Sequence, residues 1–477
     1  MPSVPAWLVG STSGLSADGW TAILGLAMTA LWLGSLGVLR SPRRGWRAVP
    51  LALLGWSWIG FGLAFVARFW VLSIDAVTYG DMSERLLVVP AAVVNEALVL
   101  STLYWVAVVL AYRVVPAPRL NALTSVGRIV HRDAVAAYDA LTAVALAAIV
   151  LNPEVERNWP VLVRPLALLG SLWVCSAAAA WFLSLAGGGR RFAVRRWVYL
   201  APGIVSFAYE PFRERLLLML LIPFLAALFA GRRVRLGIVV AVFAVFAVTS
   251  TVAVSWYRQV AWERQSVSVS TESLDPGLWL KDPYHAPWTA VLRRFHSFDS
   301  LVFYTHLVPD VVPFEVERNP LLDLLLEGFV PRALYPDKPE SRRAALFSVT
   351  VWSYGDEGRD EANIAPSMAG DLYGVGGWLW VVLGGGGWGA LLSVLDGWRK
   401  RLAPGGQAVV ITMLALLAAG GIERDFPRAT ATLIQTTIVL IGLAIVMTRA
   451  IGLGPLRLAR ARPAGLADRG QEPAALP

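Results

Sequence analysis

The sequence predicts an all-α polytopic membrane protein with about eleven transmembrane helices and one large extracytoplasmic loop of short helices. Three observations carry this. Of 477 residues, 56% are hydrophobic and only 16% charged, whereas soluble domains carry about a quarter. Apolar runs of bilayer-spanning length recur along most of the chain. One long polar interval, 258–372, interrupts them.

The runs lie at 19–39, 48–74, 87–112, 135–152, 160–186, 197–209, 215–230, 236–257, 373–395, 407–422 and 427–448, judged against about 30 Å of hydrocarbon. Those at 197–209 and 215–230 are short. No basic residue precedes the first run and no clear cleavage site follows it, so it reads as a retained helix rather than a signal peptide. The chain divides into an N-terminal bundle of about eight helices (1–257), the loop (258–372), three C-terminal helices (373–448) and a basic tail (449–477).

The arginines set the orientation. The connections at 40–47, 113–132, 190–196, 232–235 and 399–401, with the tail, hold about 23 basic and 2 acidic residues. These are the alternate connections of an eleven-span chain. Basic residues are retained on the cytoplasmic side, which puts the N-terminus outside, the C-terminus inside and 258–372 outside. The net charge of +9 comes from 39 Arg and 3 Lys, a bias of composition. The loop itself holds 17 acidic and 11 basic residues, which argues against nucleic-acid binding. The single cysteine, Cys175, excludes an intramolecular disulfide.

Helical patterning in the loop covers Pro287–Val308 and Pro320–Phe329, the latter with Asn319 as N-cap and Pro320 at the first helical position. Ser341 is placed to cap a third short helix through Trp352. These helices are expected to lie on the outer membrane surface.

Two segments of this loop carry the chemistry. The first is Phe329-Val330-Pro331-Arg332-Ala333-Leu334-Tyr335-Pro336-Asp337-Lys338-Pro339. The second is Pro366-Ser367-Met368-Ala369-Gly370-Asp371-Leu372-Tyr373-Gly374, which runs into the next span. Together they resemble the hallmark of the bacterial oligosaccharide repeat-unit polymerases, the Wzy-type O-antigen polymerase family. In that family a Pro-Arg-x-x-aromatic-Pro-x-Lys-Pro segment is followed by a Gly-Glu-x-Tyr segment. Here Asp371 replaces the Glu, and Gly374-Val375-Gly376 lacks the usual Asn-Phe. The likeness is specific over about 290–395.

The resemblance implies a GT-C-like glycosyltransferase that joins polyprenyl-pyrophosphate-linked glycans into O-antigen, capsule or exopolysaccharide. It also implies an inner-membrane location, no cofactor and no metal. Implied partners are the lipid-linked oligosaccharides, the bilayer, a chain-length regulator and a flippase. The chemistry of the residues agrees. The departing pyrophosphate is strongly anionic and needs fixed cations, and guanidinium binds phosphate bidentately while staying charged. Arg332 and Lys338 lie in the motif, Arg258 just past a span, Arg293 in the loop, and Arg213 and Arg215 in a short outer turn. Any one of them alone has a bland alternative as a solvated or snorkelling side chain. Tyr335 and Tyr373 are candidates to stack on sugar rings, with interfacial anchoring the simpler account of Tyr373 and Trp378.

If Pro287–Val308 is helical, His296, Asp299, Phe303 and His306 share a face, with Arg293 at its edge and Arg294 opposite. Such a face supplies a general base, Asp299 or His296. Two His and a carboxylate also make a metal set, and a merely wet amphipathic face is the bland alternative. Asp371 is the third candidate catalytic residue.

Charges inside apolar runs are expensive and usually functional or paired. Arg68 and Glu96, in consecutive antiparallel spans, predict a structural ion pair, and Asp139 sits where it reaches water. Gly384–Gly387 with Gly389 lacks the Lys-Ser/Thr of a phosphate loop and predicts close helix approach. The tryptophans cluster near predicted helix ends as interfacial anchors. Two other functions remain: an O-antigen ligase with the same donor and a lipid or protein acceptor, and a lipid-linked oligosaccharide flippase or transporter. Transporters typically show pseudo-symmetric halves with short loops, unlike this chain.

Overall fold

The computed structural model describes residues 17–39, 46–78, 89–116, 130, 134–159, 163–187, 190–209, 213–232, 234–235, 237–239, 241–242, 245–246, 297–308, 319–330 and 367–450. All regular structure among the described residues is helical. Eight helical stretches are long and apolar enough to cross a membrane: Gly19–Leu39, Leu53–Ser73, Ala91–Val114, Val135–Val155, Pro165–Leu185, Trp378–Arg399, Pro404–Glu423 and Phe426–Val446. Each coincides with an apolar run of the sequence. The chain has the build of a polytopic membrane protein.

In chain order the helices are α1 (Ala17–Gly34), α2 (Leu53–Phe61), α3 (Arg68–Thr78), α4 (Ala91–Val114), α5 (Val135–Asn158), α6 (Val163–Gly170) and α7 (Trp173–Leu185). They continue as α8 (Arg190–Val198), α9 (Ala201–Tyr209), α10 (Arg213–Phe229), α11 (Ser297–Leu307), α12 (Pro320–Phe329), α13 (Met368–Gly376), α14 (Trp378–Arg399), α15 (Pro404–Gly420) and α16 (Phe426–Ala450). A π-helical turn, Gly62–Ala67, joins α2 to α3 within one span.

Side-chain contacts give the helices their directions. The carbonyl oxygens of Tyr104 and Val108 on α4 lie against Gly385 and Gly389 of α14, so these two helices run parallel. Thr21 with Asn95, Met28 with Ser101, and Ser35 with Trp105 make α1 parallel to α4. Leu53 with Asp396, and Ser57 with Trp388, make α2 antiparallel to α14. The bundle therefore has an Arg399 end, where α4 and α14 finish, and an Asp371 end, where they begin.

The two short runs behave differently from simple spans. The run at 197–209 is broken: α8 stops at Val198, a turn follows at Tyr199–Leu200, and α9 continues for only nine residues. Tyr199 Oη donates to Asp139 Oδ1 at 2.6 Å in that turn. Helix α10 traverses the bundle. Its Glu214 is bridged to Arg424 at the Asp371 end (3.3 Å), and its Phe229 ring lies 6.0 Å under the Arg399 guanidinium at the other. Since α14 starts at the Asp371 end, the chain after α10 has to return there before it. Helix α11 lies at that same end.

Glycine makes close helix contact between α4 and α14. A Cβ at Gly385 would sit 2.8 Å from the Tyr104 oxygen, and one at Gly389 would collide with the Val108 backbone. With no hydrophobic drive between helices in lipid, such close backbone approach supplies the packing. The expectation for this glycine run holds at Gly385 and Gly389. Expectation fails for many tryptophans: Trp388, Trp105, Trp173, Trp398 and Trp56 are all buried in the core. Trp32 and Trp58 stack at 4.3 Å, each indole N–H donating to the other's carbonyl. Their rings fill space that the small residues leave. Trp378, Trp197 and Trp159 are exposed, as anchors are.

Candidate functional site

The site is built at the Asp371 end, where pieces of the polar loop are packed among the spans. The π-turn before Arg68 is the first local cause. It inserts an i→i+5 step into an otherwise α-helical span, a feature frequent at functional sites. Gly62 within it gives room to the Trp32 ring. Arg68 follows at once, 1% exposed.

Arg68 does not pair with Glu96. Its Nε donates to Asp299 Oδ1 (3.0 Å) and Oδ2 (3.1 Å), and its Nη2 to Oδ2 (2.6 Å). Asp299 lies on α11, which packs against α4, α13 and the π-turn, so the loop helix reaches the arginine before the neighbouring span does. Glu96 instead accepts from Tyr373 Oη at 3.1 Å. The remaining Arg68 nitrogen, Nη1, is buried with no hydrogen-bond partner among the described residues.

Helix α11 is Ser297–Leu307, the second half of the predicted Pro287–Val308; positions 287–296 lie outside the described residues. Its seating depends on the Gly-Asp-Leu-Tyr-Gly segment of α13. A Cβ at Gly370 or Gly374 would come within 2.9 Å of the Tyr304 ring, so the two glycines make a slot for a tyrosine of the loop. Phe298 meets Phe69 edge-on at 5.6 Å. Ser367 starts α13 with φ 59°, a left-handed conformation rare for a side-chain-bearing residue. Its hydroxyl accepts from Gly370 N at 3.1 Å, capping the helix.

Asp371 is 1% exposed, and its Oδ2 accepts from the Phe426 amide at 3.1 Å. That amide is one of the orphan donors at the start of α16, and Asp425 satisfies another through Arg428 N at 2.8 Å. A carboxylate is stabilised there by the helix dipole. Tyr373 is only 5% exposed. Its ring is packed in the core cluster.

Arg215 lies at the same end, its Nη1 donating to the Ser206 carbonyl at 2.5 Å. Arg213 opens α10. His306 lies in the last turn of α11, and Asn319 caps α12 with Pro320 at its first position as the sequence predicts, the Asn319 side chain accepting from Leu321 N and Leu322 N. His296, Arg258, Arg293, Arg332, Tyr335 and Lys338 lie outside the described residues, as do Ser341–Trp352.

At the opposite end sits a second buried ionic cluster that the sequence did not signal. Asp396 Oδ2 accepts from Leu53 N (2.8 Å) and Tyr112 Oη (2.7 Å), and Oδ1 from Arg399 Nε (2.9 Å). Arg399 Nη1 donates onward to Gln407. Asp396 and Arg399 stand three residues apart, which was a readable cue, but both fall at the edge of an apolar run where charge is ordinary. Asp396 caps α2 and ties it to α14, a structural task. Asp139 is half-exposed, with Arg195 at 3.4 Å and the Tyr199 hydroxyl donating to it.

Compared with known proteins, the chain matches no family model, no curated protein and no solved structure.

Proposed function

We propose that this chain is an integral membrane glycosyltransferase that polymerises polyprenyl-pyrophosphate-linked oligosaccharide repeat units on the outer face of the bacterial cytoplasmic membrane. One observation carries the reading: the loop that bears the polymerase-like motif is built into the bundle at α11 and α13. An arginine-rich polar loop seated at one end of the spans suits a donor whose lipid lies in the bilayer and whose pyrophosphate lies at its surface.

Eleven spans fit this reading. To the eight long helices it adds α8–α9, α10 and the run at 236–257, which supplies the return between α10 and α11. The arginine-rich connections then mark the cytoplasmic side, with the N-terminus and the Asp371 end outside. The loop 258–372 faces the lipid-linked substrate.

In the reaction, an acceptor hydroxyl oxygen bonds to the anomeric carbon of the donor glycan. The bond from that carbon to the phosphate oxygen breaks, polyprenyl pyrophosphate departs with the electron pair, and the hydroxyl proton passes to a base. Arg332 and Lys338 neutralise the departing pyrophosphate, with Arg258, Arg293, Arg213 and Arg215 as further cations. Both oxygens of Asp299 already accept from Arg68, so protonating it would break a buried pair. Asp299 is better suited to holding Arg68, and the base role falls to His296 or Asp371.

The test is purified protein in lipid vesicles supplied with a polyprenyl-pyrophosphate-linked repeat unit. A ladder of oligomers, with one pyrophosphate lipid released per linkage, is expected. Transfer only on addition of a lipid A-core or protein acceptor would make it a ligase. Movement of the substrate across the bilayer without release of pyrophosphate lipid would make it a transporter.

A further inference from the structure

Helix α12 sits in the polar loop yet is largely leucine: Pro-Leu-Leu-Asp-Leu-Leu-Leu-Glu-Gly-Phe. The Asn319 cap and Pro320 at the first position stabilise it locally. Leu321, Leu322, Leu325 and Phe329 are 55%, 52%, 58% and 37% exposed, and their spacing of three and four places them on one face. The other side packs along α16, with Asp323, Leu324 and Leu326 partly buried. On α16, Ile438, Ile445 and Val446 are exposed as well, as residues of a lipid-facing span are. The leucine face thus adjoins a helix whose own outer surface meets lipid, and an apolar face beside a bilayer is buried most favourably in it.

We propose that the leucine face of α12 contacts the acyl chains of the bilayer and so tethers the motif that follows it to the phosphate layer. Arg332 is three residues beyond Phe329, which limits their separation to about 10 Å in any conformation, at 3.3–3.6 Å per residue. The lipid contact stands apart from the polymerase reading; only the use made of Arg332 rests on it.

Spin labels test the contact directly. The single cysteine, Cys175, is buried, so Cys175→Ser gives a clean background for Leu321→Cys and Leu325→Cys. Ile438→Cys serves as the lipid reference and Lys400→Cys, exposed in a turn, as the water reference. In phosphatidylethanolamine–phosphatidylglycerol vesicles, collision with oxygen relative to a water-soluble nickel chelate is read at each site. The ratio at 321 and 325 is expected to match 438 and exceed 400. A nickel-dominated ratio like that at 400, or protection from both reagents, overturns the proposal; the latter would put protein on this face instead of lipid. A label at Arg332→Cys is expected at headgroup depth, and bulk-water behaviour there would refute the tether. None of these readouts depends on enzymatic activity.

Discussion

Arg68 and Asp299, 231 positions apart in the chain, form a side-on ion pair with side chains 1% and 2% exposed. It links the second span to a helix of the large loop, so it couples the placement of loop residues to the membrane bundle. Buried pairs give little net stability over apolar replacements, but breaking one leaves a charge stranded.

Arg68→Ala and Asp299→Ala are therefore each expected to destabilise the protein by about 3–5 kcal/mol. The double substitution should cost less than the two added, with a coupling of about 0.5–3 kcal/mol. Denaturant unfolding in detergent reads this. Additive losses would mean that the two side chains do not sense each other.

The α4–α14 contact makes a sharper packing prediction. Gly389→Ala drives a methyl into the Val108 backbone, and overpacking of this kind costs about 1–3 kcal/mol. Gly386→Ala has nothing within 4 Å of the added carbon and should be neutral. Equal melting temperatures for the two variants would contradict the parallel packing of these helices.

Arg332 carries the chemical prediction. If its guanidinium holds the departing pyrophosphate, Arg332→Ala should lower the rate about a hundred- to thousandfold, or about 2.7–4 kcal/mol. Arg332→Lys keeps the charge without the planar fork and should recover part of the loss. Both variants should insert and express normally, with single repeat units in place of long chains in cells. Full-length polymer from well-expressed Arg332→Ala would move the cation role to Arg258 or Arg215.

Orientation is tested by labelling. Cysteines at 281 and 360 should react from outside the cell, and those at 45 and 400 only after permeabilisation. Reaction of 281 from the cytoplasmic side alone would invert the topology and separate the loop from its donor.

The sequence by itself determined the membrane class and the eight long spans, because mean hydropathy over a window needs no knowledge of neighbours. It also determined local features whose causes lie within a few residues. Asn319 and Pro320 start α12 where predicted, and the glycines at 385 and 389 mark a close helix contact. The motif segments were legible as a pattern, and their proposed chemistry still rests on it.

Only the tertiary structure decided which charge meets which. Arg68 and Glu96 looked like partners because they occupy adjacent spans, but Asp299 arrives from 231 positions away and takes the arginine. Asp371 turned out to hold an amide at the start of α16, and Tyr373 to be covered. The Gly370–Gly374 slot for Tyr304 and the Asp396–Arg399 cluster emerged the same way. Hydropathy and spacing are properties of a segment, whereas an ion pair or a ring seated on glycine depends on where another segment comes to rest. In a bundle of many helices, that position is set by packing across the whole fold.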